Sequence, residues 1–410
     1  MSVTHTPAGL LLTEHEFSVP LDHSQPDGEK ISVFAREVAD PDGRDKPFLV
    51  FLQGGPGHES PRPTRAPTDP GWLDRALQDF RVLMLDQRGT GRSTPFGDTT
   101  GQSAGEVVEY LVNFRADSIV KDAELIRKEI GVDRWSVLGQ SFGGFCVTTY
   151  LSFAAESLRE AFITGGVPPI GRDVDEIYAA TFERTLVRNR RFFDRYPQDR
   201  ELVLSIHERL ENENVRLPSG DRLTSRRFRQ VGNILGMSNG GEKLHYLLEL
   251  PFGSPAFLHD FVDALPYTRN PIYAILHEAC YADGRVTNWA AERVTPKEYE
   301  GSPLFVGEHV FSWMFDDFGS LVPLKEAAQI LAQREWPRLY DEERLRSNEV
   351  PAAAAIYAED MYIERRFSEE TAEMTPGFRP WITNEYHHDA LRVDGGKILD
   401  RLIGLARGRL

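Results

Sequence analysis

The stretch Trp135-Ser-Val-Leu-Gly-Gln-Ser-Phe-Gly-Gly144 decides the fold class of this chain. Its mostly apolar beginning predicts a short buried strand, and a run of small residues from about Phe145 to Ala155 predicts a helix directly after it. Between strand and helix stands Gly-x-Ser-x-Gly, with Ser141 at its centre. The pattern alone occurs by chance, but in this strand–turn–helix context it indicates a catalytic serine on a sharp turn.

The glycines of this turn have a steric purpose. The turn is so tight that side chains two residues either side of Ser141 would clash, and Gly139 and Gly143 avoid that clash. Gly144 is expected to let the following helix pack closely on the sheet. The alternative is an ordinary glycine turn that happens to contain a serine.

Strand-like and helix-like segments alternate on both sides of this motif. An apolar stripe with helical spacing runs from Ile119 to Ile130, and Gly131 is expected to end that helix. Such alternation predicts a mostly parallel sheet with helices on both faces. The strands predicted in this part of the chain are residues 14–21, 30–38, 47–52, 81–85, 135–138 and 161–164.

The pattern changes from about Ile170 to Trp336, where strand signals nearly vanish and charged, aromatic segments with helical spacing prevail. Strand signals return at residues 350–357 and 379–383, and an amphipathic helix is predicted at 397–406. We therefore predict a catalytic core interrupted by a helical cap domain. The expected bounds are 1–169 and 338–410 for the core and 170–337 for the cap.

The composition excludes several classes of protein. The 410 residues carry a net charge of -16, which repels phosphate backbones, so nucleic acid is not an expected partner. Two cysteines cannot build a disulfide framework. No signal peptide and no apolar run of about 18 residues is found, so we expect no membrane partner and a cytoplasmic enzyme. A homo-oligomer is compatible with the sequence.

The loop after the 47–52 strand predicts an oxyanion hole. Acyl transfer requires two backbone N–H groups aimed at the developing oxyanion. One is expected from Phe142, next to the nucleophile, and the other from the sequence Gln-Gly-Gly-Pro-Gly at 53–57, whose glycines allow close approach to a substrate. The Gly55 amide is the first candidate and the Gly54 amide the second. The alternative is a simple Gly-Pro turn.

The remaining catalytic groups are expected near the last two strands, in the chain order serine, acid, histidine. Two histidines, His387 and His388, follow the final predicted strand, and Glu359 or Asp360 follows the strand before it. A histidine there would take the serine proton, and the carboxylate would orient it. A metal site is not expected, because the His-His pair has no third ligand at useful spacing. Together these features indicate the α/β-hydrolase fold.

Four motifs resemble the prolyl aminopeptidases, also called proline iminopeptidases, of peptidase family S33. They are Gln-Gly-Gly-Pro-Gly at 53–57, Asp-Gln-Arg-Gly-Thr-Gly-Arg-Ser at 86–93, Gly-Gln-Ser-Phe-Gly-Gly at 139–144 and Asn-Glu-Tyr-His-His-Asp at 384–389. The resemblance covers nearly the whole chain and is closest to the long bacterial form. Shorter members have His in place of Gln53 and Trp in place of Phe142.

This resemblance implies a catalytic triad of Ser141, Asp360 and His388. The family's acid precedes a methionine, as Asp360 does, and its base stands two residues after a tyrosine, as His388 does. It implies that Glu278 holds the free amino terminus of the substrate. Glu308 is implied as a second such carboxylate.

The resemblance further implies a proline pocket with apolar walls in the cap. Cys280 stands where the long form has a pocket-lining cysteine, and its alternative is a packed small hydrophobe. The side chains available as flat walls are Phe142, Phe145, Tyr281, Phe311 and Trp313. Carboxylates in an apolar cap can restrict cleavage to the first residue of a peptide. They pair with the α-amino group at a set distance from the scissile carbonyl, and an ammonium buried without such a partner is costly.

The leading hypothesis is a serine aminopeptidase that removes N-terminal proline, or other small apolar residues, from short peptides and needs no metal or organic cofactor. An esterase, amidase or carbon–carbon hydrolase with the same triad is the alternative. Dehalogenase and epoxide hydrolase chemistry is disfavoured, because it requires a carboxylate at position 141. A non-catalytic binding protein of the same fold is least favoured, since such relatives usually lose a triad member.

Overall fold

The computed structural model describes residues 3–6 and 9–410. Its strands are β1 (Val3–His5), β2 (Leu11–Pro20), β3 (Lys30–Ala39), β4 (Phe48–Leu52), β5 (Thr64–Arg65), β6 (Thr68–Asp69), β7 (Arg81–Leu85), β8 (Trp135–Gln140), β9 (Leu158–Thr164), β10 (Ala352–Tyr357) and β11 (Phe378–Thr383). The predicted strands all exist, with ends shifted by up to three residues. β1, β5 and β6 were not predicted, because two or three residues are too few to show a period.

The helices of the core are α1 (Leu73–Asp79), α2 (Ala104–Leu111), α3 (Ala116–Ile130), α4 (Phe142–Phe153), α15 (Arg365–Met374), α16 (Ala390–Val393) and α17 (Gly395–Ala406). Between β9 and β10 lie α5 (Val174–Arg195), α6 (Asp199–Asn212), α7 (Ser225–Phe228), α8 (Gly240–Glu249), α9 (Pro255–Asp263), α10 (Pro271–Ile275), α11 (Ala290–Arg293), α12 (Met314–Asp317), α13 (Lys325–Gln333) and α14 (Glu342–Arg346). Gly131 ends α3 in the left-handed conformation, as predicted.

Nine strands form one sheet in the order β1-β2-β3-β7-β4-β8-β9-β10-β11. The first three strands pair antiparallel, and so do β3 and β7. From β7 to β11 every pair is parallel. Parallel strands carry their carboxyl ends to one edge of the sheet, so the loops after β4, β8, β10 and β11 meet there. The mostly parallel sheet agrees with the predicted fold class.

Helices cover both faces of this sheet, and each face has its own apolar core. On one face, Val147 and Leu151 of α4 pack with Ile119 of α3. On the other, Leu73 of α1 packs with Leu402 of α17. Four consecutive alanines in β10 are fully buried, and their small side chains allow close packing on both sides.

The chain between β9 and β10 is helical, apart from 3₁₀ turns and one isolated bridge between Arg216 and Arg222. This agrees with a helical insertion, and the bounds 170–337 for a separate cap domain stay a prediction. Helix α5 begins at Val174, close to Ile170, where the sequence pattern changes. Across residues 3–6 and 9–410, no helix combines the length and apolarity required to cross a bilayer.

Candidate active site

Ser141 stands on a strained turn between β8 and α4. Its φ of 54° and ψ of -124° are unusual for a residue with a side chain. The turn is crowded as predicted: a Cβ at Gly143 would lie well inside 3.0 Å of the Leu52 carbonyl, and one at Gly139 would meet the backbone of Gly143. A Cβ at Gly144 would likewise lie inside 3.0 Å of the Gly166 carbonyl oxygen. Glycines at these positions therefore let β8, α4 and the neighbouring loops approach closely.

The structure brings Asp360 and His388 together beside this turn. His388 Nδ1 donates a hydrogen bond of 2.7 Å to Asp360 Oδ2. The other carboxylate oxygen, Oδ1, accepts the backbone N–H groups of Tyr362 at 2.8 Å and Ile363 at 3.2 Å. Both side chains are buried, and Ser141 and His388 line the same cavity. The carboxylate is thus fixed at both oxygens and holds the imidazole in one orientation.

The alternatives to these two residues lie elsewhere. Glu359 forms an ion pair with Arg191 on the surface. His387 Nδ1 lies 2.6 Å from the Arg188 guanidinium. Neither side chain therefore takes part in the Asp360–His388 pair.

The charge of Asp360 controls the basicity of His388. Burial by itself lowers the pKa of the imidazole, but the adjacent Asp360 carboxylate and, to a smaller extent, the Glu308 carboxylate together more than offset that effect. The pKa of His388 consequently lies above its usual value. Tyr362 completes the surroundings, with its ring edge-on to the imidazole at a centroid distance of 4.6 Å.

Two backbone N–H groups near Ser141 remain available for an oxyanion. Phe142 is the first residue of α4, where N–H groups have no acceptor within the helix. The Gly55 N–H has no hydrogen-bond acceptor among the described residues. The Gly54 N–H donates to Gln53 Oε1 at 2.9 Å. Gly54 is therefore less suited to this role than Gly55, because its amide already has a partner.

A cavity of about 770 Å³ opens over Ser141 and His388. A narrow cleft leads from Ser141 between the sheet and the helical insertion, and aromatic side chains form its walls. The predicted wall residues Phe142, Phe145 and Tyr281 line this cleft, and so does Cys280. Phe145 and Tyr281 meet edge to face at a centroid distance of 5.4 Å. Burial raises the pKa of the Cys280 thiol, which agrees with a packing role.

Glu308 lines both the cavity and the narrow cleft. Its carboxylate accepts a hydrogen bond from the Tyr273 hydroxyl and lies 3.4 Å from His277 Nε2. Burial by itself raises the pKa of this carboxyl, but His277 and its other polar neighbours outweigh burial. The pKa of Glu308 is therefore below its usual value, and the cleft contains a carboxylate that is ionised at neutral pH.

Glu278 is not among the residues that line the cavity or the cleft, so the structure does not bring it together with Ser141 as its predicted role requires. Its carboxylate accepts the backbone N–H groups of Ala290 at 3.1 Å and Ala291 at 2.9 Å, at the start of α11. Burial raises the pKa of this carboxyl above its usual value. The side chain stabilises a short helix that has no side-chain cap from its own N-cap residue, Trp289.

Two further predicted wall residues also lie away from Ser141. Trp313 stacks on Phe311 at a centroid distance of 5.5 Å, and the Arg226 guanidinium lies over its ring. Among the described residues that line the cavity and the cleft, neither Phe311 nor Trp313 is found. They follow Glu308 by only a few residues, but the chain has turned away from the cleft by then.

Comparison with known proteins assigns this chain to a family. Residues 47–263 match the model of the α/β-hydrolase fold family. A proline iminopeptidase from Aeromonas sobria is 49% identical over 416 residues, which cover 97% of each chain. This chain belongs to the proline iminopeptidase family. A second relative, a proline iminopeptidase from Aspergillus aculeatus, is 33% identical over 97% of this chain and 94% of its own.

A solved proline iminopeptidase from Mycobacterium smegmatis superposes on 94% of this chain and 98% of its own. Its identity is 14% and its TM-score 0.42, so this overlap adds nothing to the family assignment. Membership of the proline iminopeptidase family rests on the two sequence relatives.

Several lining residues of this family member were missed from sequence, and one signal pointed to them. Tyr273 and His277 are two of the missed residues. They precede Tyr281, which was predicted, at a spacing of four residues, and this spacing places all three on one helical face. Their rings follow each other at centroid distances of 5.5 and 6.0 Å. Glu278 is one position away from His277 and therefore points in a different direction. His58, Tyr362 and Arg392 also line the cavity and showed no such signal.

Asp389, the neighbour of His388, forms its side-chain hydrogen bonds outside its own helix. It occupies the N-cap position of α16 but makes no side-chain bond to that helix. Its Oδ1 instead accepts the backbone N–H of Ser238 at 2.9 Å and the Ser238 hydroxyl at 2.6 Å. The segment after β11 is thereby tied to the helical insertion.

Proposed function

We propose that this protein is a serine aminopeptidase that removes N-terminal proline from short peptides. The observation that carries the proposal is the buried, ionised Glu308 carboxylate in the aromatic cleft beside Ser141. Apolar walls favour contact with an apolar ring, and the Glu308 carboxylate in the same cleft attracts a substrate ammonium. The names of the two sequence relatives support a peptide substrate.

In the proposed acylation step, Ser141 Oγ attacks the carbonyl carbon of the N-terminal residue. His388 Nε2 takes the serine proton as the new C–O bond forms. The Asp360 hydrogen bond to His388 Nδ1 leaves Nε2 free to accept that proton and stabilises the resulting imidazolium. His388 then donates the proton to the departing amine, and the C–N bond breaks.

The oxyanion of each tetrahedral intermediate is assigned to the N–H groups of Phe142 and Gly55. Water then attacks the acyl-enzyme, with His388 as general base, and releases the amino acid and free Ser141. In both halves of the reaction His388 carries out the proton transfers, and the backbone N–H groups only donate hydrogen bonds to the oxyanion.

Glu308 gives the proposed enzyme its restriction to the first residue. A carboxylate at a set distance from Ser141 accepts a free ammonium, and a blocked amine leaves that buried charge without its partner. The triad comes from the loops after β8, β10 and β11, whereas Glu308 comes from the helical insertion. This division of roles favours the predicted core at 1–169 and 338–410 and the cap at 170–337. A cytoplasmic location is part of the same proposal.

A panel of aminoacyl anilides, each free and N-blocked, tests the function with purified protein. We expect proline anilide to have the highest kcat/KM and N-blocked proline anilide to be a poor substrate. Rapid hydrolysis of aryl esters with no cleavage of any free aminoacyl anilide would instead establish an esterase. Ser141→Ala is the control, and turnover that survives in this variant would remove Ser141 from the mechanism.

A further inference from the structure

A positively charged side chain without a partner lines the wide cavity over Ser141. Arg392 lies on α16, is exposed, and shares the cavity lining with Ser141 and His388. Among the described residues it forms no ion pair and donates no side-chain hydrogen bond. Its guanidinium therefore has all its donors available to a ligand in the cavity.

The other guanidinium of the same lining differs in this respect. Arg269 forms an ion pair with the Glu59 carboxylate and donates to Asn270 Oδ1 at 3.1 Å. The lining also contains the carboxylates of Asp69 and Asp263, and neither forms an ion pair with Arg392. Arg392 is thus the cavity cation whose charge no carboxylate of the described chain balances.

The backbone of Arg392 is held in a defined place. It follows His388 by four residues, and Asp389 between them is bonded to Ser238 of the helical insertion. The charge of Arg392 also reaches the cavity wall, where it adds to burial in lowering the pKa of His58 to about 4. Arg392 therefore contributes to the lining of the cavity from a tethered segment.

The two ends of the site have opposite charges. Ser141 and Glu308 line both the narrow cleft and the wide cavity, whereas Arg392 lines the wide cavity alone. A peptide whose first residue lies at the mouth of the cleft beside Ser141 places the rest of its chain in the wide cavity. A short free peptide has an ammonium at one end and a carboxylate at the other, which matches this arrangement.

We propose that Arg392 binds the C-terminal carboxylate of short peptide substrates, in the part of the substrate that departs as the amine product. A guanidinium is suited to this because it forms two parallel hydrogen bonds with a carboxylate. The inference rests on the proposed aminopeptidase function and adds a second determinant of substrate length. Each added residue moves the carboxylate by up to about 3.5 Å, so the contact favours one peptide length.

The test compares Pro-Gly, Pro-Gly-Gly and Pro-Gly-Gly-Gly as free acids and as C-terminal amides, with proline anilide as reference. For the wild type, we expect at least one free acid to have a KM about three- to tenfold below its amide, a modest factor because the site is open to solvent. Arg392→Ala should abolish that difference and leave the KM of the amides and of the anilide within about twofold. Added salt should also reduce the difference, since it screens exposed charges.

Arg401→Ala is the matched control, because Arg401 is an exposed arginine that lies over Trp381 on α17, outside the cavity lining. Arg392→Glu should reverse the preference so that the amides bind better than the acids. Pro-Asp amide has a carboxylate on its side chain but none at its C-terminus. If its KM in the wild type were as low as that of the best free acid, the assignment of Arg392 to the C-terminal carboxylate would be overturned.

The proposed contact would be refuted if the free acids and the amides had equal KM values in the wild type. It would also be refuted if Arg392→Ala raised the KM of acids and amides by the same factor. Failure to cleave proline anilide would instead refute the aminopeptidase function itself. The two failures are therefore distinguishable in one set of assays.

Discussion

The His388–Asp360 pair sets the pH dependence expected of this enzyme. The pKa of His388 is raised, because the Asp360 carboxylate, with a smaller contribution from Glu308, stabilises the imidazolium more than burial disfavours it. A general base with a raised pKa remains protonated, and hence inactive, up to a higher pH. Activity should therefore increase as the pH rises through this pKa. Glu308 has a lowered pKa and is already ionised in that range.

We predict that Asp360→Asn lowers kcat on the order of 10³- to 10⁴-fold and moves the acid limb of kcat/KM to lower pH. The loss of charge removes the interaction that raises the pKa of His388, and the amide no longer fixes the tautomer. The pH profile of proline anilide hydrolysis measures both effects. An acid limb that stays in place in Asp360→Asn would show that another group controls it.

The two glutamates of the helical insertion should respond differently to the same change. Glu308→Gln is expected to raise the KM of proline anilide tenfold or more, which corresponds to about 1.4 kcal/mol or more of binding free energy. Glu278→Gln should leave that KM within about twofold and lower the free energy of unfolding by about 1–3 kcal/mol, because a carboxylate bonded to two backbone N–H groups is lost.

Steady-state kinetics and denaturant unfolding of the two variants, measured side by side, separate substrate binding from stability. A large KM increase in Glu278→Gln with none in Glu308→Gln would restore Glu278 as the residue that binds the amino group. That outcome would also contradict the observed orientation of the two side chains.

At the scale of elements, the turn between β8 and α4 depends on the absence of side chains. The space that a Cβ would occupy at Gly143 is filled by the backbone of Leu52 in β4. Backbone atoms in a sheet cannot move aside as the end of a flexible side chain can. The elbow is therefore one of the most constrained segments of the fold.

We predict that Gly143→Ala destabilises the protein by at least about 3 kcal/mol, because β4 and α4 must separate to admit a methyl group. Thermal unfolding and the recovery of soluble protein measure this loss. Gly97→Ala is the matched control, since a Cβ at Gly97 meets no atom within 4 Å. Equal stability of the two variants would mean that the turn relaxes more easily than its packing indicates.

At the scale of the whole molecule, Arg115 joins the sheet-flanking helix α3 to the helical insertion. It is 1% exposed, and its guanidinium donates to the carbonyl oxygens of Ala279 at 3.2 Å and Ala282 at 2.7 Å. It also donates to the Pro337 carbonyl at 2.7 Å and lies over the Trp336 ring. The segment that contains Cys280 and Tyr281 is thereby anchored to the core.

We predict that Arg115→Met lowers the free energy of unfolding by at least about 3 kcal/mol and raises the KM of proline anilide. Three buried carbonyls lose their donor, and the cleft wall formed by Cys280 and Tyr281 loses its support. Arg134→Met is the control, because exposed Arg134 donates to a single carbonyl, that of Glu156. An unchanged KM with lowered stability would confine Arg115 to a structural role.

The local part of this structure was determined by the sequence. The apolar run of β8, the glycines around Ser141 and the small residues of α4 are neighbours in the chain, so their pattern predicts the elbow directly. The rule that parallel strands end at one edge of a sheet predicted the position of Gly55, and it limited the acid to Glu359 or Asp360 and the base to His387 or His388. The family resemblance, and not the strand pattern, then selected Asp360 and His388. These residues were predictable because they lie beside strands with strong patterns.

The tertiary structure alone decided which side chains of the helical insertion face Ser141. Glu278 and His277 are adjacent in sequence, yet only His277 lines the cleft, because neighbouring helical residues point about 100° apart. The sequence around Trp313 and Arg392 does not indicate how far these residues lie from Ser141. A packed surface assembled from many short helices is fixed by long-range contacts, and no periodic pattern encodes those contacts.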